Sequence, residues 1–305
     1  MRHVFKHVRF DERASIYLHI PALRGIESTV PLTLDYFHFE DLSLCIDSVC
    51  FDFYEFWNFP VPSPPSKKEV ERIYNQKHFG NLFFRKIDLF GRWEKKVSLE
   101  LTQGEAEQKL INFLIGRFEK VRIRRLKIDD VENFLKRIGT RNIEVEKLHL
   151  KIQNFSGFLK ICNFLNPESF PLKKLELETE NLGELELEKL MGVENLRIKF
   201  QESTSEIELL DFLEKFLKFS KPNLCSKLTL EVPNDSFLHS IFDFFQRNFQ
   251  TSVILGSTTQ ITVDQKINLK IFGGEVETLK NHMYDVCEKW KMWIFEMDVL
   301  KNERK

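Results

Sequence analysis

The sequence predicts an α/β protein: an α+β N-terminal part, then a degenerate leucine-rich-repeat-like βα arc closed by a C-terminal capping helix. Three observations carry that prediction. An apolar strand motif recurs five times, as Arg125-Leu126-Lys127-Ile128, Lys147-Leu148-His149-Leu150, Lys174-Leu175-Glu176-Leu177, Asn195-Leu196-Arg197-Ile198 and Lys227-Leu228-Thr229-Leu230. The first leucines are 22, 27, 21 and 32 residues apart, and helical segments at 131–138, 155–165, 185–191 and 207–219 fill the gaps. Strand, turn and helix at such spacing mark a βα solenoid. The asparagine that usually closes the strand motif is absent and the spacing is uneven, so an irregular α/β domain with a mostly parallel sheet fits almost as well. Finally, 30 of 305 residues are Phe, with 42% hydrophobic and 30% charged residues, enough to build a core without metal or disulfides.

Taken in order, residues 8–20 have helical composition and stop at Pro21. Residues 30–39, 42–46 and 49–57 read as strands, because Val49, Phe51, Phe53 and Trp57 share one parity while Asp52 and Tyr54 take the other. Residues 1–59 are thus a helix plus a small antiparallel sheet. The stretch 60–66 holds four of the ten prolines and reads as a linker to an α/β repeat-like domain over 67–305. In that domain 83–90 and 95–102 flank Gly91-Arg92 as a hairpin. Thr102 and Glu105 have capping-box spacing for a helix to about 118. A helix at 237–249 follows the last motif, then short strands at 252–255, 260–263 and 267–272. From Glu275 a long helix is expected, since Val276, Leu279, Met283, Val286, Trp290, Trp293, Met297 and Leu300 alternate at spacings of three and four.

The formal net charge of −1 argues against a coat for nucleic acid or for an anionic membrane. No stretch approaches ~18 uninterrupted apolar residues, and the N-terminus lacks an apolar signal core, so cytoplasm or nucleus is the expected address. The five cysteines are then expected to be reduced, although a hairpin at 45–50 would allow Cys45 and Cys50 to pair. The sequons at Asn154 and Asn234 are read as chance matches. No HExxH, GxGxxG, P-loop or GxSxG pattern occurs, Asp129-Asp130 reads as a helix cap, and Gly273-Gly274 as a strand-to-helix turn. No enzyme, cofactor or metal is expected; the alternatives are an enzyme with an unrecognised site, or a degenerate family member with no retained activity.

One surface pattern remains. With the motif leucines inward, period-two geometry puts the intervening residues on the opposite, concave face in three columns. These fifteen positions hold eight basic and four acidic residues, an excess of four positive charges. Arg125, Lys127, Lys147, His149, Lys151, Lys174, Arg197, Lys199 and Lys227 are accordingly the candidate contacts for an acidic or phosphorylated protein partner. A solvated face with ordinary lysine usage is the plainer alternative.

Residues 4–32 carry a resemblance. Val4-Phe5-Lys6-His7-Val8 with Arg13, then Ile20-Pro21-Ala22-Leu23-Arg24-Gly25-Ile26-Glu27, then Val30-Pro31-Leu32, resemble the second half of a nematode-type F-box and its associated region. The resemblance implies a non-enzymatic protein-interaction module, the substrate-recognition subunit of a cullin-type ubiquitin ligase, with a Skp1-type adaptor as partner. The leading Leu-Pro segment and first helix, which family members use to grip that adaptor, do not precede Val4 here.

Overall fold

The computed structural model describes residues 2–5, 8–40, 43–47, 49–52, 80–88, 91–99, 103–139, 142–179, 190, 193–200, 204–219, 227–249, 255–256, 258–262, 267–281 and 287–301. The expected linker at 60–66 and nearly all of the helix expected at 185–191 lie outside these residues. The chain groups into two units, Met1–Lys147 with Lys160–Ser169, and Leu148–Leu159 with Phe170–Lys305. Both are mixed α/β.

The first unit opens with α1 (Arg2–Phe5), α2 (Phe10–His19), a 3₁₀ turn at Pro21–Leu23 and α3 (Arg24–Ser28). As expected, α2 stops just before Pro21, whose ring removes the N–H that would continue it. Strands β1 (Leu32–Glu40), β2 (Ser43–Ile46) and β3 (Val49–Asp52) form the predicted antiparallel sheet, and β4 (Gly80–Asp88) with β5 (Gly91–Leu99) extends it. Cys45 and Cys50 stand directly opposite across β2 and β3 and are disulfide-bonded. This corrects the expectation of five reduced thiols: the tight hairpin register, a local feature, brings the two sulfurs together.

The other edge of β1 is what the sequence reading misses. It pairs in parallel with β6 (Lys120–Ile128), with Leu34 beside Ile123, Phe37 beside Leu126 and Phe39 beside Ile128. All six side chains are at most 1% exposed. β1 is therefore a further copy of the repeated strand, Leu34-x-x-Phe37-x-Phe39 matching Ile123-x-x-Leu126-x-Ile128. The helices α4 (Gln103–Leu114) and α5 (Val131–Ile138) belong to this unit, and Phe134 of α5 meets Phe39 edge-on at 5.5 Å. The strand order is β7-β6-β1-β2-β3-β4-β5, and β7 (Asn142–Ile152) gives its residues from Leu148 onward to the second unit.

In the second unit β8 (Lys174–Thr179), β9 (Asn195–Phe200) and β10 (Lys227–Val232) run parallel. Leu175, Leu196 and Leu228 form one buried row, and Leu177, Ile198 and Leu230 the next. The helices are α6 (Phe155–Phe164), whose residues from Lys160 onward belong to the first unit, α7 (Glu206–Phe219) and α8 (Asp235–Phe249). Their starts are written locally: Asn154, Ser205 and Asn234 each accept the N–H two residues on, from Ser156, Ile207 and Ser236. The two sequon asparagines are thus helix caps.

The C-terminal capping helix is not formed. After β11 (Thr258–Thr262), residues from Ile267 onward build β12 (Ile267–Asn281) and β13 (Cys287–Lys301) instead, and β13 pairs antiparallel with β10 from Lys227–Asp298 to Val232–Trp293. A helix would leave the N–H and C=O groups along that edge of β10 to solvent, whereas β13 hydrogen-bonds them and buries Phe295 and Met297. Gly273 lies inside β12 rather than in a turn. A Cβ there would sit 2.6 Å from the Phe242 ring of α8, so the missing side chain is a packing requirement.

Candidate active site at the carboxyl ends of β1 and β6

Tyr36 stands opposite Arg125, and His38 opposite Lys127, on the face of β1 and β6 that points away from Phe37 and Phe39. At the carboxyl ends of the two strands this row reaches Glu40 and Asp129. Carboxyl ends of parallel strands are where open α/β sheets place their ligands. The ladder runs one step beyond β6, with the Asp129 N–H donating to Phe39 O at 3.1 Å, and this holds the Asp129 carboxylate beside His38. His38 Nε2 lies 2.8 Å from Asp129 Oδ2. The two aspartates divide their work. Asp130 is the expected cap, its Oδ1 accepting the Asn133 N–H at 2.9 Å, while Asp129 faces the site.

His38, Glu40 and Asp129 each offer a donor atom, and the three atoms lie within 4.8 Å of one another. The His38 and Asp129 side chains are 12% and 21% exposed and Glu40 is open to solvent, so the cluster is partly dehydrated yet accessible. Lys127 Nζ is 3.5 Å from Asp129 Oδ1, and the Arg125 guanidinium lies 5.6 Å from the centre of the Tyr36 ring. Burial, then the Asp129 charge, pushes the Tyr36 hydroxyl up from its ordinary range, keeping it neutral and able to donate. A histidine nitrogen with two carboxylates suits a divalent ion such as Zn²⁺ or Mn²⁺. Sequence reasoning named Asp129 only as half of a helix cap and gave His38 and Glu40 no role. The signal was His38-Phe39-Glu40, two donors at strand spacing, on a strand not recognised as a repeat.

The nine candidate contact residues fall on the polar face, in the predicted register where β8, β9 and β10 meet. Lys174, Asn195 and Lys227 form one row, Glu176, Arg197 and Thr229 the second, and Glu178, Lys199 and Glu231 the third. Arg125 and Lys127 belong to the cluster just described. Lys147, His149 and Lys151 lie on β7. The excess of positive charge is largely spent within the protein. Lys174 pairs with Glu176, Arg197 with Glu231, Lys199 with Glu178, and Lys227 with Glu296 of β13. His149 has one ring nitrogen 3.3 Å from Glu176 and the other 3.3 Å from Glu178.

These pairings shift the carboxylates. Burial works against ionisation of Glu176, yet Lys174, His149 and Arg197 hold it below its ordinary range. Glu178 is lowered to about 2 by the His149 ring, which outweighs burial, with Lys199 adding to it. A carboxylate whose folded pKa lies below its unfolded value stabilises the fold above the unfolded value and loses that contribution as pH falls through the folded one. The second unit is therefore expected to lose about 1–2 kcal/mol between roughly pH 4.5 and 2, a figure reduced for solvent screening. Urea midpoints across that range should fall in the native protein and flatten in Glu178→Gln. An unchanged slope in the variant would assign the acid limb to other groups.

No family model matches the chain, and no curated protein matches it. Among solved structures it is similar to the precorrin-6y C5,15-methyltransferase of Geobacter metallireducens GS-15, at 13% identity and a TM-score of 0.25, covering 50% of this chain and 67% of that one. It is also similar to the METTL16 MTase domain, at 9% identity and a TM-score of 0.26, covering 86% and 98%. Both are named as methyltransferases. The comparisons give no support to the expectation of a non-enzymatic module serving a cullin-type ligase, and it is not carried further. At these scores the likeness assigns no residue, and the catalytic reading rests on the His38 cluster. No helix among the described residues is long and apolar enough to cross a membrane.

Proposed function

We propose that this chain is a hydrolytic enzyme whose water-activating centre is a divalent cation held by His38, Glu40 and Asp129. The observation that carries it is the convergence of these three donors within 4.8 Å at the carboxyl ends of two parallel strands. His38, Glu40 and Asp129 would hold the ion through one nitrogen and two carboxylate oxygens, a donor set that suits Zn²⁺ or Mn²⁺. Three protein donors leave a position for water, and a bound ion of this kind brings that water's pKa to about 7. The chain supplies geometry: β1 fixes His38 and Glu40 on one face, and the extra ladder bond fixes Asp129 beside them. Of the two architectures the sequence left open, we infer the leucine-rich-repeat-like one, supported by the buried motif leucines and by β7 to β10 following one another in chain order.

Calorimetric titration of the metal-free protein with Zn²⁺ and Mn²⁺, beside hydrolysis of p-nitrophenyl acetate, tests the reading. One equivalent should bind, hydrolysis should require it, and Asp129→Asn should weaken binding by about 10-fold or more, the range over which oriented metal donors act. Binding that is absent, or unchanged in His38→Gln and Asp129→Asn, would overturn it.

A further inference from the structure

We infer that the substrate of this centre is a phosphate monoester whose dianionic group docks on Arg125 and Lys127; this rests on the hydrolytic reading above. The placement is the first argument. Arg125 and Lys127 are alternate residues of β6, so they share a face about 6.6 Å apart, and each stands opposite a residue of the cluster's own strand, Tyr36 and His38. Lys127 brings its charge to 3.5 Å from the Asp129 carboxylate, at the rim of the metal ligands. Arg125 is exposed, and its guanidinium lies against the Tyr36 ring. That contact restrains the side chain without consuming its hydrogen-bond donors, which match two phosphate oxygens at once.

Charge is the second argument. Glu40 and Asp129 carry two negative charges that a divalent ion balances. Arg125 and Lys127 then leave two positive charges beside a neutral centre, which matches a phosphate dianion. A neutral ester gains nothing from them, and a carboxylate balances only one. The cations on β8, β9 and β10 pair with glutamates that neutralise that face, whereas Lys127 pairs with Asp129, whose charge the divalent ion takes up. Tyr36 stands on the same row, opposite Arg125. The step balances without any redox partner. The activated water oxygen bonds to phosphorus, the phosphorus–oxygen bond to the alcohol breaks, and the proton released from water passes to the departing alkoxide. The products are an alcohol and inorganic phosphate.

The test compares p-nitrophenyl phosphate with p-nitrophenyl acetate on the metal-loaded full chain, and measures binding of inorganic phosphate by calorimetry. The expected result is preference for the phosphate ester. Arg125→Gln and Lys127→Gln should each lower the phosphate-to-acetate ratio of kcat/KM by about 10-fold, chiefly through KM, and weaken phosphate binding in parallel. Both positions lie on the polar face, so circular dichroism and thermal midpoints should match the native protein. Acetate hydrolysis without phosphate hydrolysis, or variants that discriminate as the native protein does, would overturn this inference and leave the hydrolytic reading standing. Should neither ester be cleaved and no metal bind, the hydrolytic reading falls. Phosphate binding then still decides the anion site, which stands if binding is lost in the variants and fails if the native protein binds none.

Discussion

Replacing Glu27 with alanine is expected to destabilise the first unit by roughly 3–5 kcal/mol, because it strands two buried cations. Glu27 has no exposed surface and receives Arg13 at 3.3 Å and Arg117 at 3.2 Å, themselves 2% and 8% exposed. Arg13 also donates to the carbonyls of Glu27 and Val30 at 2.9 Å and of Pro31 at 3.0 Å, tying α2 to the entry of β1. Its guanidinium lies 4.7 Å from the Phe118 ring centre, and that of Arg117 4.6 Å from both Phe118 and Tyr17. Burial lowers the Arg13 pKa, the sign of a cation kept charged at a cost that Glu27 offsets. Without Glu27 the two guanidinium groups repel each other in a dry site. Glu27→Gln keeps an acceptor and should cost less, about 1.5–3 kcal/mol. Urea unfolding of the three proteins measures both losses. A loss below about 1 kcal/mol for the alanine variant would mean that water reaches these arginines.

Arg13, Glu27 and the Val30-Pro31-Leu32 segment all lie in the stretch whose pattern resembles an F-box-associated region. What the spacing encodes in this molecule is the buried Arg–Glu–Arg knot. Other elements were legible for similarly local reasons. The bounds of α5 were read correctly because Asp130 caps its start and Gly139, at φ 66, closes its end. The rows on β8, β9 and β10 followed from period-two geometry alone. What could not be read is pairing between distant segments. His38 and Asp129 are 91 residues apart, and neither sits in a local motif that announces the other. The parallel join of β1 to β6 makes them neighbours, and β1 had been assigned only to its antiparallel hairpin. The neutralised polar face was hidden by the same kind of gap. Glu296, the partner of Lys227, lies on β13, in a segment whose periodicity pointed to a helix.

That segment supplies the second large effect. Phe295→Ala is expected to cost the second unit about 3–5 kcal/mol, the range for truncating a buried phenylalanine. Phe295 is wholly buried and stacks on Phe245 of α8 with ring centres 5.7 Å apart. Met297 is also buried, while Glu296 and Asp298 between and beyond them are half-buried, which is strand alternation. The spacing of Trp290, Trp293, Met297 and Leu300 suits a helix equally well, and a helix carrying that stripe would turn position 295 about 200° away from Trp293, toward solvent. The two arrangements therefore disagree about one residue. In the strand, Phe295→Ala is severe and Glu296→Ala costs no more than about 1 kcal/mol, since the Lys227 pair is a third exposed on both sides. On a helix with that stripe, Phe295→Ala would cost little. Urea denaturation of the two single variants separates these outcomes, and a mild Phe295→Ala would remove β13 from the edge of β10. The strand is favoured physically because pairing along β10 satisfies a row of backbone groups that a helix packed at the same place would leave open.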